Sequence, residues 1–153
     1  MRMKSEGRPG TAEPSVIQPE GWPRPQGYSH AVRVPAGRDL VFLAGQVGWD
    51  LQGRFPGPDF VAQFEQALAN CVALVEAAGG RVEDIVRLTM FCTDKRAYLD
   101  RLSEVGTAYR RILGRHYPAM SLVQVTALVE DQALIEIEAT AAVPAAQAAA
   151  RST

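Results

Sequence analysis

Alternating and helix-spaced apolar positions divide this chain into clear segments. Residues 117–143 read as two strands joined by a polar turn at Glu130, Asp131 and Gln132. In the first, Val123, Val125 and Ala127 alternate with Leu122, Gln124 and Thr126; in the second, Ile135, Ile137, Ala139 and Ala141 alternate with Glu136, Glu138 and Thr140. Successive strand side chains point to opposite faces, so each strand has an apolar face and a mixed face. The mixed face is expected to carry Glu136 and Glu138, with Met120 and Leu122 near the start of the hairpin.

The rest of the chain follows the same logic. Residues 28–34 and 40–47 flank the turn sequence PAGRD and predict a second hairpin, with Gly45 and Gly48 marking a bulge or a close backbone approach. Asp59 is a candidate N-cap for a helix in which Phe60, Phe64, Ala67, Leu68, Cys71, Leu74 and Val75 recur at helical spacing, and Gly79-Gly80 stops it. The short apolar run 85–92 predicts a buried central strand. Thr93 or Asp94 opens a second helix with the stripe Tyr98, Leu102, Val105, Tyr109 and Ile112, ended by Gly114.

The predicted order is ββ-α-β-α-ββ over residues 27–144, an α+β domain with two helices on one face of a mixed sheet. The other face, with Gln124, Thr126, Glu136 and Glu138 beside apolar residues, is too polar for a core and too apolar for open solvent. A homo-oligomer that buries this face resolves the conflict, and clefts between its subunits are natural ligand sites. Residues 1–26, rich in Pro, Gly and charge without periodicity, predict a mobile tail that docks Trp22; residues 145–153 are Ala-rich and predict a frayed end.

Composition narrows the function classes. A formal charge of −1 offers no electrostatic reason for a nucleic-acid or membrane partner. No signal-peptide h-region opens the chain, and no apolar run is long enough to span a bilayer. Cys71 and Cys92 lie within apolar patterns without paired spacing, which predicts buried free thiols, a reducing compartment and a cytoplasmic protein. His30 and His116 lack clustered acidic or thiol ligands, so no metal is expected. GQVG at Gly45 is not a dinucleotide fingerprint, and no cofactor is expected. Ser29-His30 and His116 with Ser121 lack any motif for an activated nucleophile. Arg101, Arg110, Arg111 and Arg115 read as a solvated helix face rather than an RNA contact.

Several stretches together resemble the Rid family, the YjgF-type proteins also labelled endoribonuclease L-PSP. They are GYSHAV from Gly27, VFLAGQVGWD from Val41, ALANCVALVEAAGG from Ala67, DIVRLTMFCTD from Asp84, YPAMSLVQV from Tyr117 and LIEIEATA from Leu134. The resemblance implies a chorismate-mutase-like fold, a homotrimer with inter-subunit clefts, and hydrolysis of reactive imines or enamines. It also implies a cleft tyrosine at Tyr28 and a water-positioning glutamate at Glu136. The chain departs from the pattern where the family arginine that grips a substrate carboxylate is replaced by Met120. Ala44 stands for a serine beside Gly45, Leu122 for a small residue or cysteine, and Gly106 for a helix-two asparagine.

The candidate site is therefore Glu136 as the catalytic group, with Tyr28, Ala44, Gly45, Met120 and Leu122 binding a ligand. Glu136 is either a base that orients water or a member of an inter-subunit hydrogen-bond network. Tyr28 either contacts ligand or packs an interface. The expected function is a small hydrolase or deaminase acting at an inter-subunit cleft on an imine, enamine or related electrophile without a gripped carboxylate. The alternatives are a non-catalytic metabolite-binding or chaperone-like homotrimer and a tailoring enzyme of a specialised pathway.

Overall fold

Asp59 starts the long helix α1 (Phe60–Ala77) in the computed structural model, which describes residues 12–146. Its carboxylate accepts a bond from the Ala62 amide at 2.8 Å, satisfying one donor that a helix start leaves free. At the other end Gly79 takes φ +81°, and the amides of Gly79 and Gly80 donate to the carbonyls of Glu76 and Val75 at 2.9 Å each. That pair of bonds closes a helix over a left-handed residue, as the Gly-Gly stop predicts. The buried stripe Phe60, Phe64, Leu68, Cys71 and Val75 is the face α1 offers to a sheet.

That sheet has four strands in the order β3 (Arg38–Val47), β6 (Ile135–Pro144), β4 (Ile85–Cys92), β5 (Ala119–Gln124). β6 runs antiparallel to both neighbours, and β4 and β5 are parallel. The sheet is mixed, as expected. Leu43, Leu88, Met90, Ile135, Ile137, Ala139 and Ala141 point to the helix side and join the α1 stripe in one core. Cys71 and Cys92 lie in that core as free thiols, and burial pushes the Cys71 thiol up to about 12.

Neither predicted hairpin forms. β5 and β6 are separated by β4, and residues 125–134 between them are irregular. β4 buries Ile85, Val86, Leu88, Met90 and Cys92, so it gains most from the centre, and its two edges take one strand each. In this register Met120 pairs with Leu88 and Leu122 with Met90. Met120 and Leu122 therefore share the helix-covered face, not the face of Glu136 and Glu138. Val123, expected with the apolar set, is 45% exposed on the open face. A shift of one residue inverts every side chain of a strand.

The first predicted hairpin fails for a related reason. β2 (Ala31–Arg33) pairs with β1 (Ser15–Ile17) in a separate two-stranded sheet, while β3 pairs with β6. Arg38, at the start of β3, donates from Nε to the Ala142 carbonyl at 2.7 Å and forms a buried ion pair with Asp84. Those contacts tie β3 to β6 rather than to its sequence neighbour. β1 falls inside the stretch expected as a tail; residues 1–11 of that stretch and 147–153 of the expected frayed end lie outside the described residues. Trp22 meets the His30 ring edge-on at 5.1 Å.

The second predicted helix is two helices, α2 (Lys95–Leu99) and α3 (Leu102–Leu113), with Asp94 capping the first through the Arg96 amide. Arg101 stands at the break and bonds Asp59 at 2.6 Å and Glu104 at 2.6 Å, which links the start of α3 to the cap of α1. Its hydrogen bond holds the Asp59 carboxyl below its ordinary value, so the cap keeps its charge. α1 and α3 pack on the same face of the sheet. The opposite face is left open, with Leu40 52% and Phe42 76% exposed. No helix among the described residues is long and apolar enough to cross a membrane.

Candidate functional site

A cavity of about 550 Å³ opens where α3, the ends of β4 and β5, and the segment before β2 meet. Of the predicted site residues it gathers Tyr28, Met120 and Leu122. Tyr28 is held there by its neighbour. Ser29 is buried; its amide donates to the Pro118 carbonyl at 3.0 Å and its hydroxyl donates to the Tyr117 carbonyl at 2.5 Å. Ser29 thus fastens this segment to the start of β5, leaving Tyr28 40% exposed at the cavity mouth, with the His30 ring edge-on to its ring at 5.6 Å. Met120 and Leu122 line the β5 wall, so the wall where the resemblance places a guanidinium is a thioether and a branched alkyl group.

The remaining wall is aromatic. Tyr109 and Tyr117 stack with ring centroids 5.3 Å apart and planes 5° from parallel, and Tyr98 adds a third phenol. Tyr109 donates its hydroxyl to the His116 carbonyl at 2.6 Å. Burial raises the phenols of Tyr109 and Tyr98, so both stay neutral near physiological pH. Tyr98 and Tyr109 read as core stripe in the sequence, because helical spacing marks a buried face without saying that a cavity interrupts it.

Ala44, Gly45 and Glu136 form a second group, away from the cavity. The β3–β6 register shifts between Leu43 and Gln46, the bulge that Gly45 suggests. Glu136, half-buried on β6, folds over Gly45 so closely that a Cβ on residue 45 would lie 1.8 Å from its Oε1. The missing side chain at 45 is what lets the carboxylate lie there. Among the described residues that carboxylate makes no ion pair. Gly48 serves packing instead, because a Cβ there would lie 2.7 Å from the Gln63 backbone, and its absence lets the end of β3 sit close on α1. Within one chain Glu136 and the Tyr28–Met120 cavity are therefore on separate surfaces, Glu136 belonging to the open sheet face and the cavity to the helix side.

The arginines expected as one solvated stripe have separate roles. Arg101 pairs with Asp59 and Glu104, Arg111 pairs with Glu65 at 2.7 Å, and Arg110 lines the cavity. Among the described residues no group of three or more His, Cys, Asp or Glu side chains is placed to hold a metal ion.

Comparison with known proteins is consistent along most of the chain. The family model described as endoribonuclease L-PSP matches residues 23–143. A RutC family protein of Pyrococcus horikoshii is 35% identical over 128 residues, 82% of this chain and 95% of the relative. A 2-iminobutanoate/2-iminopropanoate deaminase of Salmonella typhimurium is 38% identical over 105 residues, 67% of this chain and 78% of the relative. Among solved structures, the Rid family protein YyfB of Yersinia pestis superposes with a TM-score of 0.76 at 34% identity, covering 86% of this chain and all of that one.

Proposed function

This chain belongs to the Rid family, the endoribonuclease L-PSP proteins, and from that membership we propose that it hydrolyses a reactive imine, enamine or related electrophile in a cleft between subunits. The observation that carries the reading is the pairing of a carboxylate laid against a glycine backbone, Glu136 on Gly45, with an aromatic cavity that has lost the family's carboxylate grip at Met120. Relatives named as 2-iminobutanoate/2-iminopropanoate deaminases support the reaction class.

The chemistry is addition of water followed by loss of ammonia. On a protonated imine, Glu136 accepts a proton from water as the oxygen bonds to the carbon, the C=N π electrons move to nitrogen, and a carbinolamine forms. The same carboxyl returns that proton to nitrogen; the freed carboxylate then takes the carbinol hydroxyl proton, the O–H electron pair forms the C=O bond as the C–N bond breaks, and ketone and ammonia leave. Tyr28 shapes the mouth of the cleft and offers a hydroxyl to the nitrogen or oxygen in flight.

One chain cannot do this alone, because Glu136 and the cavity are on separate surfaces. A homotrimer that buries Leu40, Phe42 and Val123 of the open face would bring a Glu136 from one subunit toward the cavity of another; the stoichiometry of three rests on the family resemblance. Free buried thiols fit a cytoplasmic setting for it. Light scattering coupled to size exclusion should report three chains at micromolar concentration. A stable monomer would overturn the assembly and the cleft together.

Met120 sets the substrate limit. A guanidinium holds a carboxylate through two charge-assisted bonds, and a thioether supplies neither. At about 1.5–3 kcal/mol per charged bond, turnover of 2-iminopropanoate should fall at least about tenfold to a hundredfold below an arginine-bearing relative. The assay generates the imine from alanine with an amino-acid oxidase and follows pyruvate release above the uncatalysed rate. Parity with that relative would show that the Met120 wall does not limit this substrate.

A further inference from the structure

Hydrolysis at Glu136 leaves one charged group of the cavity without a role. Arg110 lines the cavity together with Tyr28, Tyr98, Tyr109 and Tyr117. Its guanidinium is folded back over Gly106, one helical turn earlier on α3, where a Cβ would lie 3.2 Å from Nη1. The asparagine that the family resemblance places at 106 would compete for that space, whereas glycine leaves it open. Among the described residues Arg110 makes no ion pair, and its side chain has one long bond, 3.3 Å from Nη2 to the Thr107 hydroxyl. Its neighbours contrast with it, since Arg101 is paired with Asp59 and Glu104, and Arg111 with Glu65.

A guanidinium offers several donors in a planar fork, and donors that the protein leaves unused within an aromatic concavity are available to an anion. The parallel Tyr109–Tyr117 pair adds a flat wall beside it. We propose that the cavity binds a flat, ring-bearing ligand with one anionic group, and that Arg110 is the residue holding that anion. The inference rests on the same cavity as the hydrolytic reading and deepens it by naming the substrate class. Charge is taken up from α3, while the β5 wall at Met120 and Leu122 stays apolar and receives the uncharged part of the ligand.

Titration calorimetry of the full chain with phenylacetate, phenylacetamide and acetate tests this without turnover. Phenylacetate should bind the wild-type protein about tenfold or more tighter than the uncharged amide, the size of one charged hydrogen bond. Acetate should bind more weakly than phenylacetate. Arg110→Gln should erase the preference for acid over amide, Arg110→Lys should keep part of it, and Arg115→Gln, at an exposed position outside the cavity, should leave it intact. Unchanged circular dichroism and melting temperature would show that Arg110→Gln is folded. Equal binding of acid and amide, no binding of phenylacetate, acetate binding as tightly as phenylacetate, or a preference that survives Arg110→Gln would each overturn the proposal. Because binding alone is read, a failure here is separable from a failure of hydrolysis at Glu136.

Discussion

Glu136→Gln, made in a Met120→Arg background, is expected to lower kcat for 2-iminopropanoate hydrolysis by about 10²–10⁴, the usual contribution of a positioned general acid–base. Met120→Arg comes first because it restores the carboxylate grip, so the parent shows turnover against which a loss can be measured. Glutamine has the shape of glutamate and still donates and accepts hydrogen bonds, but it cannot take a proton from water. A structural role for residue 136 would therefore survive the change, and a catalytic one would not. Gly45→Ala supplies an independent check, because its Cβ would lie 1.8 Å from Oε1 and must push the carboxylate aside. It should reduce the rate while leaving the assembly intact. If Glu136→Gln keeps more than about a tenth of the parent rate, water is handled elsewhere and Glu136 belongs to an inter-subunit network.

Asp84→Ala is expected to cost about 3–5 kcal/mol of stability, because it strands a buried guanidinium without its counter-charge. The side chains of Arg38 and Asp84 are 2% and 1% exposed. Arg38 donates to Asp84, to the Ala142 carbonyl at 2.7 Å and to the Ala12 carbonyl at 2.9 Å, and Asp84 also accepts from the Arg81 amide at 2.8 Å. The pair therefore joins the start of β3, the end of β6 and the turn (residues 82–84) that leads into β4. Urea unfolding at fixed protomer concentration gives the measurement, since assembly makes stability depend on concentration. The double substitution Arg38→Met with Asp84→Leu should recover much of the loss, because an apolar pair leaves no unpaired charge. A cost under about 1 kcal/mol for Asp84→Ala would mean that water reaches Arg38 and replaces the carboxylate.

The features legible in the sequence were those decided by interactions within a few residues. α1 was readable at both ends, since Asp59 caps it through Ala62, three positions on, and Gly79 and Gly80 close it through Glu76 and Val75. β4 was readable as a run of eight residues with few polar positions. The Gly45 bulge was readable because glycine in a strand signals a close approach, and Glu136 is what approaches it. Glu136, Tyr28 and Met120 were found as candidates because short motifs around them resemble a family, and such motifs are local as well.

Pairing partners and faces were decided at a distance. Turn residues at 35–39 and 130–132 signal a reversal of the chain but do not say which strands become neighbours. β4 took the place between β5 and β6 because a short strand that buries Ile85, Val86, Leu88, Met90 and Cys92 is covered best at the centre, and that insertion put Met120 and Leu122 on the helix side. The difference between Arg110 and Arg111 had the same origin. Both are arginines on one helix, and only the packing of α3 against α1 and β5 gives Arg111 a partner in Glu65 and turns Arg110 toward a cavity. Local hydrogen bonding and spacing thus determined this protein's long helix and central strand, and family-like local motifs its candidate residues; which of those residues meet was left to packing, because burial rewards contacts without regard to their separation along the chain.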